Sequence, residues 1–242
     1  MSILSDWYSN NQRAVIMGHN PACTTGEESV AVQSALVAHP SAATALEVAS
    51  SSADDTSAGT GARTIRIYGL DSDYAWQTAD ATMNGQTAVT VATTFLHVYG
   101  AEVLTAGTGG KNAGIISVAD DGVTWASGAP SAYTSSYAHI AVGDQVSRNG
   151  WFMVPANLKY KLRRLWMSNT TQIALVRLYV RSGSAGLVQK LMEWPMAAGQ
   201  SELLVFDKNE FVFPEKSLIE FRVLGAAASA VTSIFATLEQ VA

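Results

Sequence analysis

Thr64-Ile65-Arg66-Ile67-Tyr68 sets Ile65 and Ile67 on one face of an extended chain and Arg66 and Tyr68 on the other, and Gly69-Leu70-Asp71-Ser72-Asp73 ends the run with turn residues. The same grammar recurs outward from it. Residues 45–49 precede it and 74–83 follow; Asn84-Gly85, the strongest short hairpin signal in the chain, predicts that 88–91 returns beside 74–83. Residues 95–104 and 113–119 flank a glycine-rich loop at 105–112. Beyond a weakly patterned bridge at 120–150, the runs 151–155, 160–167, 173–181, 187–194, 202–206, 218–224 and 231–238 continue at roughly the 8–14-residue spacing of a sandwich or barrel. Only 31–38 is a short helical exception. The expected fold is all-β: a jelly-roll-like β-sandwich of about ten strands.

Residues 1–40 read as an extended N-terminal arm, with residues 41–242 as a single sandwich domain. The first forty residues hold few large hydrophobes at a regular period, and Gly18-His19-Asn20-Pro21 and Thr24-Thr25-Gly26-Glu27-Glu28 are loop chemistry. Such an arm is ordered only where its own body or a neighbour holds it.

The 242 residues suffice for a large core, although 37 of the apolar residues are alanine. Charged residues make up 14%, so Ser, Thr, Ala, Gly and Asn must cover much of the surface, as suits an assembly. Residues 1–150 carry 5 Lys/Arg against 13 Asp/Glu, while 151–242 carry 10 against 7. That distribution argues against a nucleic-acid ligand. The lone Cys23 forms no intrachain disulfide, the N-terminus lacks a signal-peptide pattern, and the low-polarity stretch 226–238 is too short to span a bilayer. A soluble chain without a membrane partner is expected.

Catalytic and metal patterns fail on spacing. In Thr105-Ala106-Gly107-Thr108-Gly109-Gly110-Lys111-Asn112 a threonine stands where a P-loop needs its first glycine, and Asn112 follows the lysine. His19, His39, His97 and His139 are dispersed, and Cys23 with His19 lacks an orienting third residue. Asp54-Asp55, Asp71-Ser72-Asp73 and Asp120-Asp121 read as solvated turns rather than calcium loops. The expectation is a non-enzyme with no cofactor and no metal site. Trp76, Trp125, Trp151, Trp166 and Trp194, with Tyr133 and Tyr137, read as core or interface before they read as a glycan platform. Lys159-Tyr160-Lys161-Leu162-Arg163-Arg164 is the only basic cluster; strand alternation places Lys159, Lys161 and Arg163 on one face and Tyr160, Leu162 and Arg164 on the other. The candidate interaction residues are Trp7, Tyr8, Arg13, His19, Asn20 and Pro21 of the arm, with Lys159, Lys161 and Arg163.

The stretch 46–71, in which a glycine-rich crossing leads into a strand that ends in Gly69-Leu70-Asp71, resembles virion structural proteins of tailed bacteriophages, particularly phages of marine bacteria and cyanobacteria. The similarity continues through Met83-Asn84-Gly85, Thr94-Phe95-Leu96 and Thr105-Ala106-Gly107 to Asn112-Ala113-Gly114-Ile115-Ile116, and spans roughly residues 18–119. His97 and Tyr99 depart from it, standing where an Arg-containing strand is more usual. The resemblance implies a non-enzymatic particle component in the virion, commonly a trimer. Its partners would be its own copies and the major capsid protein or other virion proteins. The implied roles are capsid decoration or cement, head fibre or knob, and tail adaptor, with a host-glycan-binding module as the competing class.

Overall fold

The structure is a computed structural model that describes residues 13–33, 35–183, 185–206 and 211–241. It is all-β, with antiparallel sheets throughout. In chain order β1 (Arg13–Cys23) and β2 (Glu27–Ser29) come first. Then follow β3 (Leu46–Ser50), β4 (Ala62–Leu70), β5 (Trp76–Thr82), β6 (Val89–Thr90), β7 (His97–Ala106), β8 (Ile116–Asp120), β9 (Trp125–Ala126), β10 (Ala129–Pro130) and β11 (Ser136–Ile140). The last group is β12 (Trp151–Met153), β13 (Lys159–Asn169), β14 (Ala174–Ser182), β15 (Val188–Met196), β16 (Ser201–Val205), β17 (Val212–Phe213), β18 (Ser217–Gly225) and β19 (Ala230–Val241).

These strands form two compact units, one from residues 37–148 and one from residues 13–36 with 149–241. The second is a jelly roll. One sheet has the order β1-β19-β13-β16, with β17 also on β13; the other has β12-β18-β14-β15, with β2 also on β18. The pairs nest like a long hairpin rolled up: β1 with β19, β12 with β18, β13 with β16, β14 with β15. Inward alternation fills the roll with Ala14, Ile16, Leu162, Leu165 and Met167 from the first sheet and Val176, Leu178, Phe221 and Val223 from the second, all buried. Phe152 meets Tyr160 edge to face at 5.4 Å.

The lane beside β18 is filled by two separate pieces of chain. Ser29 pairs with Arg222 and Trp151 with Glu220, so β2 and β12 lie end to end along one strand. Between them Val30 N–H donates to the Phe221 carbonyl at 3.0 Å, and Phe221 N–H donates to the Gly150 carbonyl at 2.7 Å. The chain leaves this strand lane after Val30 and rejoins it at Gly150, and the inserted unit, residues 37–148, lies between the two in sequence. Gly150 is required by that closeness, because a Cβ there would lie 2.7 Å from the Val30 carbonyl oxygen.

The inserted unit holds a three-stranded sheet, β5-β4-β7, and a four-stranded one, β11-β8-β3-β6. Ile65 and Ile67 are fully buried, as the alternation requires. Its glycine-rich crossing is tied down by the buried Asp55. The Asp55 carboxylate accepts hydrogen bonds from the N–H groups of Ala62, Ala113 and Gly114 at 2.6, 2.8 and 2.8 Å and from the Ser50 hydroxyl at 2.5 Å. Asp55 is thus an internal tie rather than a solvated turn residue.

Three sequence expectations are corrected. Residues 13–33 are no arm, since β1 pairs with β19 from Arg13 to Cys23 and buries Ala14 and Ile16; the missing periodicity reflects a strand ended by a bulge and a second strand only half present. Residues 41–242 therefore fail to include the whole roll. Gly85 has the left-handed φ of +62° that the Asn84-Gly85 signal asks for, yet β5 pairs with β4 and β6 pairs with β3, because the Gly85 carbonyl accepts from Ser50 N–H instead. Residues 31–38 are irregular, not helical, wherever described.

Candidate functional site

The outer face of the β1-β19-β13-β16 sheet gathers most of the candidate residues. Cross-strand register defines its rows. Met17, Phe235, Trp166 and Leu203 lie side by side across all four strands, and the next row is Val15, Thr237, Arg164 and Val205. A third row is Arg13, Glu239, Lys161 and, on β17, Val212. Phe235 is 37% exposed, Trp166 39%, Leu203 60% and Val205 63%, so an apolar stripe faces outward where a free sandwich would carry polar side chains.

Cations crowd one end of this stripe. Lys161 and Arg163 share the Glu239 carboxylate at 3.5 and 3.0 Å, while Arg13, Lys159 and Arg164 have no acidic partner among the described residues. Arg13, Arg163, Arg164 and Glu239 border a depression of about 290 Å³. Arg164 stands here against the strict alternation expected from the sequence. The register shifts between Leu162 and Arg164, so Arg163 is an extra residue in a β-bulge and two consecutive arginines face outward. Tyr160 and Leu162 remain inside, where burial pushes the Tyr160 hydroxyl up to about 12.

The turn residues of the first strand divide differently. His19 lies half-buried on the outer face with Nδ1 2.8 Å from the Ser233 hydroxyl. Asn20 is buried and donates to Glu28 at 2.8 Å, so it is a structural residue and not an exposed contact. Pro21 is exposed in the bulge between Asn20 and Cys23. Cys23 is fully buried, and burial raises its thiol, which removes it as a nucleophile beside His19. Trp7 and Tyr8 lie outside the described residues.

Among the described residues no single aromatic platform emerges within either unit. Trp151 and Trp194 are buried in the roll, whereas Trp166 is exposed on the sheet face. In the inserted unit Trp76 stacks on Tyr99 at 4.8 Å and Trp125 donates to Glu47 at 2.8 Å. The described residues contain no group of three His, Cys, Asp or Glu side chains placed to hold a metal ion, and no helix long and apolar enough to cross a membrane. The sequence reading missed Met17, Phe235, Leu203 and Val205. Alternation in 231–238 does mark Phe235 as opposite in face to Ile234 and Ala236, but which face is covered depends on register across four distant strands.

No family model matches the chain, and no curated protein matches it. Among solved structures it is similar to that of infectious bursal disease virus Gx strain, at 11% identity and a TM-score of 0.21, over 96% of this chain and 72% of the other. It is also similar to the infectious bursal disease virus VP2 subviral particle, at 11% identity and a TM-score of 0.22, over 99% and 74%. The jelly-roll assignment rests on the strand order alone.

Proposed function

We propose that the chain is a non-enzymatic virion structural protein of a tailed phage, and that it decorates the capsid by binding its own copies, as a trimer, and the capsid lattice. The observation that carries this reading is the uncovered apolar row of Phe235, Trp166 and Leu203 on a jelly-roll sheet. A sheet face of this kind is stable in water at little benefit to a monomer, and subunit contact is the ordinary way to cover it. The resemblance to phage virion proteins at 51–71 and 105–116 supports the same reading. Those residues build the Asp55-centred crossing of the inserted unit, so they support a shared scaffold.

The test is to mix the purified chain with capsids that lack it, after measuring its mass by light scattering. A trimer of about 77 kDa, three times the 25.6 kDa chain, that joins the capsid is the expected result. A chain that ignores capsids and joins tails would move the role to a tail or head-fibre adaptor. Binding to neither, with a hit on a glycan array, would replace the structural reading by receptor recognition.

A further inference from the structure

The apolar row is the centre of a contact and too small to be all of it. Four strands about 4.8 Å apart and four outward positions about 6.7 Å apart give a face on the order of 500 Å², against roughly 800 Å² buried per partner in a stable complex. The remainder must come from its rim, and the rim is cationic. Among the described residues, Arg13, Lys159, Lys161, Arg163 and Arg164 stand there against the one carboxylate of Glu239. Two copies meeting through this same face would bring five cations against five, so a twofold contact of the face with itself is opposed by charge. The occupant must present acid beside apolar surface.

This chain carries such a surface elsewhere. Residues 37–148 hold ten Asp and Glu against four Lys and Arg. At one end of its four-stranded sheet Leu46 pairs with Asp120 and Glu47 with Ala119, which sets Glu47, Asp120 and Asp121 at neighbouring positions, and none of the three has an ion-pair partner among the described residues. Asp121 is exposed, and its carboxyl is raised first by a hydrogen bond with the Asp120 side chain and then by the like charges of Asp120 and Glu47. Trp125 lies against them with its indole N–H on Glu47, which adds an aromatic surface to the acidic one.

We propose that a second copy of this chain docks the acidic edge of its inserted unit on the outer face of the jelly-roll sheet, head to tail, with Phe235, Trp166 and Leu203 at the centre. A head-to-tail contact that closes on itself makes a ring, and the trimer is the smallest such ring above a pair. This inference rests on the reading of the chain as a self-assembling virion component and adds to it where the copies touch.

The experiment measures the self-association of the full chain by light scattering over a concentration series, with the fold of each variant checked by circular dichroism. Arg164→Glu with Arg13→Glu reverses the rim, and Asp121→Lys reverses the acidic edge at an exposed position. Each is expected to weaken association by about tenfold or more, and all three changes together to recover most of the loss. Leu203→Asp, at an exposed position, should weaken it as well. Association indifferent to both reversals would overturn the proposal while leaving the virion reading in place. Weakening without recovery in the combined variant would overturn the acidic edge as occupant, and a wild-type chain that stays monomeric would overturn the contact altogether. Capsid binding is read separately, so failure of the virion reading is distinguishable from each of these.

Discussion

The two units of the molecule solve the same problem, an all-β fold with many polar backbone groups, by opposite means. The jelly roll is assembled from both ends of the chain and is held by long strands such as β1 on β19 and β13 on β19, whose pairing runs nine or more residues. Among the described residues the inserted unit is continuous in sequence, and its strands are on the whole shorter. A buried carboxylate accepting three backbone N–H groups organises its glycine-rich crossing. Sequence-distant pairing leaves the roll exposed to loss of its first thirty-odd residues, and local closure leaves the inserted unit independent of them.

The largest effect expected is therefore from deleting the first described strands of the roll. Removing residues 13–36 takes away β1 and half of the lane beside β18, with Ala14, Ile16, Val30 and Ala31 from the core. The jelly roll should lose its cooperative thermal transition entirely, while that of the inserted unit persists. The complementary change is gentler than its size suggests. Val30 and Gly150 bracket Phe221 in one lane, so replacing residues 37–148 by a short Gly/Ser link should give a roll that still folds and melts cooperatively. If the excised roll is unfolded by circular dichroism, the two units are not separable and the comparison fails.

Asp55→Ala sharpens the contrast next. It leaves the N–H groups of Ala62, Ala113 and Gly114 and the Ser50 hydroxyl without their acceptor inside the fold, at a cost of about 3–5 kcal/mol. Calorimetry should show the loss in the transition of the inserted unit alone. An equal shift in both transitions would mean that the crossing supports the whole chain.

Strand positions were legible in the sequence wherever alternation was strong: residues 64–68, 160–167 and 218–224 fall within β4, β13 and β18. What was hidden has a physical reason in each case. Residues 27–30 are half of a strand whose other half lies at 150–153, and no local pattern marks a lane completed by a segment more than a hundred residues away. Asn84-Gly85 correctly marks a turn, but a turn signal does not choose the partner of the strand that leaves it. Lys159, Lys161 and Arg163 were visible as a stripe, whereas Arg164 joined them only through a bulge that alternation cannot announce. The apolar half of the face was invisible because Phe235 and Leu203 look like ordinary core residues until register assigns them outward.

Acid separates the units in a further way. His139 is buried in the inserted unit with Nδ1 2.9 Å from the Ser117 hydroxyl, and burial pushes its imidazole down from 6.5 to about 3. The neutral ring is the folded form, so its stability contribution is complete above pH 6.5. As pH falls from 6.5 toward 3 the unfolded chain takes up a proton that the folded one refuses. The loss approaches about 1.4 kcal/mol per pH unit in that window. Denaturant melts at pH 7 and pH 5 should show the inserted unit weakened by about 2 kcal/mol, and His139→Phe should flatten that dependence. An unchanged slope in the variant would assign the acid sensitivity to other groups.

The smallest effect tests the roll's own ionic tie. Glu27 on β2 meets Arg177 at 2.7 Å and Arg222 at 3.1 Å and accepts from the Tyr179 hydroxyl at 2.7 Å. Partial burial raises its carboxyl, but the hydrogen bonds from Arg177, Tyr179 and Arg222 outweigh it and hold the group below its ordinary value. The sign is then opposite in window to that of His139: the Glu27 contribution is present above about pH 4.5 and is lost only below it. Solvent reaches all three charged side chains, so Glu27→Gln should cost only about 1 kcal/mol at pH 7. Hydrogen exchange should register it where bulk melting barely does, as faster exchange at Glu27–Ser29 with β13 and β19 unaffected. Uniform acceleration across the roll would mean that β2 is bound into its cooperative core more tightly than a three-residue strand with surface ion pairs allows.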